Sequence, residues 1–547
     1  MGEDHDEKAV SVTETASPTV KMSERSTNDI KLMTKDEYHL ATLGYRQVLV
    51  RGLGLFENWA ATFTTMNFVS GMPILLGFAL TTGGPQAAFS NWTMVGGLSL
   101  VVSFALAEIA AAFPTAGGIY YWSYRLGGTK WGPFFSWLTA WWNWVGWIAV
   151  VPGCQQGATN FFIAALQIQY PNATVLSERW FLFVCTTAGL LIAVVPNILD
   201  QRVLRWYFRI TVCSACVLFM IYWIWFPIAS RGHFQPASGV FGHFYNGINY
   251  GPTQQASDAY CWIVGILFGA WEFYGYDTSV HLAEETNEAS EVVAKGMWAG
   301  TLATWLLSVP TLVILLFCIR DFDAIVNGTY ANNFAELCLQ AIGPKGATTV
   351  LILCWLDGTC GTIICILSAQ RVTYAISRDG ILPGSKYFRK LSTNKRMPVN
   401  AALLVLAFGI AISCIIIGSE VAFFALTATA TIATNVSYLI PIVARQTVAR
   451  KQFRPAKWHL GRFSVPCTII GGTYISFLFV VLCLPQVYPV TALTLNYAPI
   501  MIGGVTILTV VGWIFPFGLG GRYWFHGPLR TISEQETSKA RVVGLHD

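Results

Sequence analysis

Long apolar stretches separated by short polar turns run from Asn58 to Phe517. Most are close to the roughly 20 residues an α-helix needs to cross a hydrocarbon core. The pattern predicts twelve such helices, at 58–80, 91–113, 134–166, 179–198, 206–229, 258–282, 296–319, 347–376, 399–417, 421–443, 464–484 and 497–517. The third and eighth exceed what a bilayer requires, which predicts tilt or extension beyond it. Residues 1–46 are polar, rich in Ser, Thr, Glu and Lys, and lack the apolar run of a secretory signal. They read as a disordered tail, and 518–547 as a second, shorter one.

Composition agrees with an all-α polytopic membrane protein. Of 547 residues, 54% are hydrophobic and 12% charged, against roughly 25% charged in a soluble domain. That is too little charge to coat so large a surface for water. The net charge of +5 fits inner loops that gather Lys and Arg and implies no nucleic-acid partner. The 13 cysteines are scattered, and the Cys213–Cys216 CxxC has no second pair, so they read as buried inert thiols. Enzyme signatures fail in turn. There is no Walker A sequence, no GxSxG elbow and no His/Cys group at metal-ligand spacing. Gly52-Leu53-Gly54 is half a dinucleotide fingerprint, with Glu57 where a glycine belongs and no strand before it. The chain reads as no enzyme, with no cofactor and no metal.

Basic residues alternate with the loops. One set holds Arg125 and Lys130, Arg202 and Arg205, then Arg378, Lys386, Arg389, Lys390, Lys395 and Arg396, then Arg445, Arg450, Lys451, Arg454, Lys457 and Arg462. The other holds only Arg179, Arg231, Arg320 and Lys345. The positive-inside rule places both termini in the cytoplasm. The glycosylation sequons at Asn172 and Asn327 fall in the outer loops of that arrangement.

Two spans carry interruptions. The first reads Asn67-Phe68-Val69-Ser70-Gly71-Met72-Pro73, where Gly71 relaxes the backbone and Pro73 removes a donor. A proline kink is the plain alternative. The sixth reads Gly269-Ala270-Trp271-Glu272-Phe273-Tyr274-Gly275-Tyr276-Asp277, with two carboxylates in an apolar segment. Intramembrane carboxylates are costly and usually face a cavity. Breaks at the first and sixth spans occupy corresponding places in two five-helix halves, the mark of an inverted-repeat transporter with its site at the midplane.

These residues, with Ala107-Glu108-Ile109, Pro114-Thr115-Ala116-Gly117-Gly118-Ile119-Tyr120-Tyr121-Trp122, His281-Leu282-Ala283-Glu284-Glu285-Thr286 and Ser377-Arg378-Asp379-Gly380-Ile381-Leu382-Pro383, resemble the amino acid–polyamine–organocation permeases. The fungal branch that carries amino acids, GABA and choline is the most similar, over Leu40 to Phe517. The resemblance implies a leucine-transporter-type fold. One repeat would span 58–230, its inverted mate 257–443, and two further helices 464–517, together forming a transporter domain over 47–517. It implies that Ser70, Gly71 and Met72 receive a substrate carboxylate on backbone amides. Carbonyls near Trp271, Glu272, Phe273, Tyr274 and Gly275 would receive an ammonium, with Trp271 or Phe273 closing over it. The first break departs from the Gly-Ser-Gly type of many amino-acid permeases.

The function so implied is a secondary permease for amino acids or related amines, coupled to protons, in the plasma membrane or an endomembrane such as the vacuole. The rivals are a choline, polyamine or other organic-cation permease and a non-transporting nutrient sensor. Coupling candidates are Glu272, Asp357 and Glu108, each with a structural alternative: a neighbouring-helix bond for the first two and an anchor of the second span for Glu108. Glu284 and Glu285 read as ion-pair partners at a gate. The polar stripe Thr427, Thr429, Thr431, Thr434 and Asn435 reads as interhelical bonding. The Trp-rich third span (Trp137, Trp141, Trp142, Trp144, Trp147) reads as packing and interfacial anchoring.

Overall fold

A computed structural model describes residues 32–542 except 252, 394, 395, 420, 493, 539 and 540. The expectation of disorder for 1–31 and the far end of the second tail lie outside the described residues, as do Lys395 and the side chain of Thr427. A short helix α1 (Lys35–Thr42) precedes a first broken helix, α2 (Leu55–Met66), α3 (Phe68–Ile74) and α4 (Leu76–Thr81). There follow α5 (Gly84–Ala112), α6 (Gly118–Gln169), α7 (Arg179–Ile198), α8 (Gln201–Met220), a π-helical turn at Ile221–Trp225, α9 (Phe226–Ala229) and α10 (Ala237–Phe241). A second broken helix comprises α11 (Asp258–Val264), α12 (Ile266–Glu272) and α13 (Thr278–His281). Then come α14 (Ala289–Phe317), α15 (Phe322–Val326), α16 (Phe334–Arg378), α17 (Ser385–Phe388), α18 (Val399–Ser413), α19 (Ile415–Gly418), α20 (Val421–Gln446), α21 (Ser464–Leu482) and α22 (Ala498–Ile514).

Seven helices of this set, counting α8 and α9 as one and α18 with α19 as another, are long and apolar enough to cross a membrane. They do not share the same surroundings. The apolar windows of α5 and α16 are 72% buried in protein, that of α7 33% and that of α8–α9 22%. The first two form the interior of the bundle. The others turn Val184, Leu191, Ile192, Ile210 and Val217 outward, an apolar belt suited to lipid.

The third and eighth helices also run on ahead of the expected 134–166 and 347–376. In α6 the helix is interrupted at Gly128 (φ 67°), and in α16 at Gly343 (φ 73°). Only glycine takes such a backbone without strain, so each long helix is a bundle helix with a short, largely buried helix joined ahead of it. The short piece of α6 lies at the face where the chain ends meet. That of α16 lies at the opposite face, beside the Asn327 sequon. The two long helices thus each carry a leading piece, at opposite faces.

The expected tail is ordered from residue 32 onward. Thr34 and Glu37 form a reciprocal capping box on α1, Leu40 and Tyr45 are buried, and Leu32–Met33 pairs with Arg541–Val542 as a two-residue parallel ladder. Arg46 meets Glu536 at 2.7 Å. Both ends of the described chain therefore lie at one face, the terminal face. Asn172 and Asn327 are exposed at the other, here called the sequon face.

Candidate functional site

The first break lies earlier than its sequence implied. Asn67 is the residue that leaves the helix, at φ 29° and ψ 54°, and α3 then runs through Gly71 and Pro73. Asparagine tolerates positive φ better than most residues. Its backbone carbonyl accepts from the amides of Ser70 (3.1 Å) and Gly71 (2.8 Å). Two of the amides expected to hold a carboxylate are thus already engaged. The second break falls at Phe273–Asp277, centred on Gly275 at φ 76°. A side chain at Gly275 would press on Thr65 and Trp147.

Between the breaks lies a cavity of about 30 Å³, lined among others by Asn67, Ser70, Gly71, Trp271, Glu272 and Tyr274. Cys154 of α6 and Cys365 of α16 complete one wall, their Sγ atoms 3.9 Å apart. No Lys, Arg or His lines it among the described residues. Glu272 is 3% exposed, and its Oε1 has no hydrogen-bond partner among the described residues. The remaining predicted residues point elsewhere. Phe273 packs against Trp92 with ring centroids 5.2 Å apart, and Met72 is buried in the core.

Asp357 stands behind α3. Its Oδ2 accepts from Asn67 Nδ2 (2.7 Å) and Ser70 Oγ (2.9 Å), and its Oδ1 from Ser214 Oγ of α8 (2.5 Å). It therefore fixes the break to two other helices. Glu108 is remote from the cavity: it pairs with Arg445 (2.8 Å) and Ser464 (2.6 Å), joining α5 to α20 and α21. On α20, Thr434 and Asn435 turn back to their own helix's carbonyls, whereas Thr429 reaches Met501 of α22. Trp137 and Trp142 bond Thr509 and Thr506 of α22, and Trp144 bonds Thr373 of α16, each at 3.0 Å.

Towards the terminal face the cavity is closed by charge. Glu285 pairs with Arg371 (2.6 Å) and Glu284 with Arg378 (3.0 Å). The segment before α2 seals over them: Gly52 N donates to Glu285 O (2.9 Å), Gln47 donates to Glu284 O (2.7 Å), and Arg51 bonds the carbonyl of Thr286. Arg378 also lies over the Tyr45 ring at 3.8 Å. Asp379 accepts from Tyr45 (3.0 Å), Tyr120 (2.6 Å) and the amide of Leu529 (3.3 Å). Burial first, then the nearby Asp379 charge, push both phenols well above their ordinary value, which keeps them as donors. Towards the sequon face stands a larger vestibule of about 380 Å³. Ile74 lines both cavities and stands between them.

Sequence reasoning missed Asn67 as the hinge and Arg371 as the buried counter-ion. It also missed the grouping of Asp277, His281 and Tyr438, although Asp277 and His281 are spaced i, i+4 within one apolar segment, which was the available signal.

A helical bundle with an apolar outer belt, two broken helices meeting at a small cavity, and unequal barriers towards its two faces defines a membrane transporter of small solutes. The chain belongs to the amino acid permease family, whose model matches residues 56–506. It is 30% identical to the rice amino-acid permease BAT1 homolog, over 90% of this chain and 95% of that protein. It is 29% identical to the Arabidopsis thaliana amino-acid permease BAT1 (92% and 98%), and 29% identical to the thiamine transporter thi9 of Schizosaccharomyces pombe (87% and 85%).

Proposed function

We propose that the protein is a secondary permease for a small amine-bearing solute, an amino acid or a relative such as GABA, moved by alternating access with protons as the coupling ion. The observation that carries this reading is Glu272: a buried carboxylate with one unpartnered oxygen on the wall of the cavity between the two breaks. A buried ionised carboxylate needs compensation, and a substrate ammonium or a proton supplies it. Ser70, Gly71, Trp271 and Tyr274 are the remaining contacts. A cavity of about 30 Å³ has room for water but not for an amino acid, so the helices must part to admit substrate, which supports alternating access.

A second reading, a permease for an organic cation lacking a carboxylate, has its own support. The amides of Ser70 and Gly71 are already bonded to Asn67, and one relative is named a thiamine transporter. In both readings the chain spans the membrane twelve times, with each broken helix counted once. The terminal face is cytoplasmic, Asn172 and Asn327 carry glycans outside, and the plasma membrane is the place of action. Purified protein in proteoliposomes, offered labelled lysine, alanine, glutamate, GABA, choline, spermidine and thiamine, separates the readings. Uptake of amino acids supports the first, and uptake of choline or thiamine alone supports the second. No counterflow of any of them would leave the sensor.

A further inference from the structure

Asp277, His281 and Tyr438 form a buried network that takes no part in lining the cavity. Asp277 is fully buried just beyond the second break. Its Oδ1 accepts from Tyr438 OH of α20 at 2.6 Å. Its Oδ2 faces His281 Nε2 at 3.0 Å, with Asn143 Nδ2 and Trp147 Nε1 of α6 at 3.5 Å. His281 is equally buried and lies edge-on to Trp147. The other ionisable groups facing the pair are phenols: Tyr438, and Tyr276, whose ring is 5.1 Å from that of Tyr438. Among the described residues no Lys or Arg bonds to it.

The second ring nitrogen decides what this network can do. His281 Nδ1 lies 3.4 Å from the carbonyl oxygen of Ala116. With Asp277 ionised, Nε2 must carry the proton that it donates, so in a neutral ring Nδ1 presents a lone pair to the lone pairs of the Ala116 carbonyl. In the imidazolium, Nδ1–H donates to Ala116 and the charge is balanced by Asp277. The amide of this same residue, Ala116, donates to Glu284 Oε1 at 3.1 Å, and Glu284 holds Arg378. A proton on His281 thus joins the loop ahead of α6 to the second broken helix, next to the ion pairs that shut the terminal face. Without it that join becomes a repulsion.

We propose that the Asp277–His281 pair is the binding site of the transported proton, and that its occupancy holds the terminal face shut. Proton binding then favours the conformation open towards the vestibule, and proton loss releases the Ala116 loop and lets the terminal face open. One proton is gained by the imidazole from the sequon side and lost to the terminal side in each cycle. The link to transport rests on the permease reading, whereas the link between the proton and the closure does not.

The closure can be followed without substrate. Hydrogen–deuterium exchange of the full-length protein is measured at segments 113–120 and 281–288 from about pH 5 to 8. After correction for intrinsic exchange, both segments should open as pH rises. His281→Gln should remove the pH dependence. Asp277→Asn should move its midpoint down, because the imidazolium loses its counter-charge. Tyr438→Phe should move it up, because the carboxylate loses a donor. A wild-type pH profile in His281→Gln, or identical midpoints in all variants, overturns the proposal. In proteoliposomes with labelled lysine, GABA, choline and thiamine, the ratio of pH-gradient-driven accumulation to counterflow should fall in His281→Gln, and an unchanged ratio overturns the proposal. If wild-type protein exchanges none of these four compounds, it is the permease reading that fails, and the exchange profiles still decide the role of the pair.

Discussion

The carboxylate of Glu272 occupies the space in which a side chain at position 71 would begin: a Cβ built on Gly71 would stand 2.1 Å from Glu272 Oε2. A glycine is therefore required there by the neighbouring helix and not by its own backbone, which is helical. Gly71→Ala should displace Glu272 and abolish uptake while the protein still reaches the membrane. Surface biotinylation alongside uptake checks this, and normal uptake by the variant would separate Glu272 from the transport path.

Glu272→Gln keeps the size and removes the charge. Uptake of amines should weaken by about 1–3 kcal/mol in apparent affinity, the worth of a charge-assisted hydrogen bond. Competition by neutral analogues should be spared. Equal losses for charged and neutral competitors would assign Glu272 to packing.

The Glu285–Arg371 pair is nearly inaccessible, its side chains 3% and 0% exposed. Glu285→Gln leaves the guanidinium buried without its counter-ion and should cost about 3–5 kcal/mol. Thermal unfolding followed by fluorescence-detected size exclusion should show a large drop. Lys295→Ala, which breaks the exposed Lys295–Glu291 pair, should leave the melting curve in place.

Cys154 and Cys365 face each other across the cavity wall. A small methanethiosulfonate reagent applied from the sequon side should block transport, and the Cys154→Ser/Cys365→Ser protein should resist it. Equal block of both proteins would move the sensitive thiol to another of the 13 cysteines.

Epitope tags at residues 10 and 540 should both require permeabilisation for antibody access. Asn172→Gln and Asn327→Gln should each remove one glycan-dependent shift on a gel. A tag accessible on intact cells reverses the orientation read from the loop charges.

The helical architecture was legible because hydrocarbon forces every spanning backbone to satisfy its own hydrogen bonds, which writes long apolar runs into the sequence. The two breaks were legible for a related reason, since Gly275 and the buried carboxylates are expensive in such runs. The exact hinge was not. Pro73 is the louder signal, but α3 runs through it because the Val69 carbonyl that it leaves without a donor accepts from Tyr222 OH at 2.7 Å, whereas Asn67 turns the chain through its contact with Asp357, 290 residues away. Such a contact leaves no local trace. The same holds for Arg371, which reads as one more basic residue at the end of a helix until Glu285 is placed beside it. The order in residues 32–46 was hidden because apolar side chains such as Met33, Leu40 and Tyr45 find their partners in distant segments.

The two faces of the cavity are shut by unequal means: Ile74 stands on one side, and two ion pairs with a bonded N-terminal arm on the other. Parting aliphatic carbons sacrifices only dispersion and a little hydration free energy, whereas parting buried ion pairs demands that charge be rehydrated. The molecule is thus an asymmetric two-well system resting in the well that serves the vestibule. Half-saturation should come at lower solute concentration from that side. From the other side the apparent affinity is reduced by the small fraction of molecules in the competent well, so the protein loads readily in one direction and reluctantly in reverse even with no gradient applied.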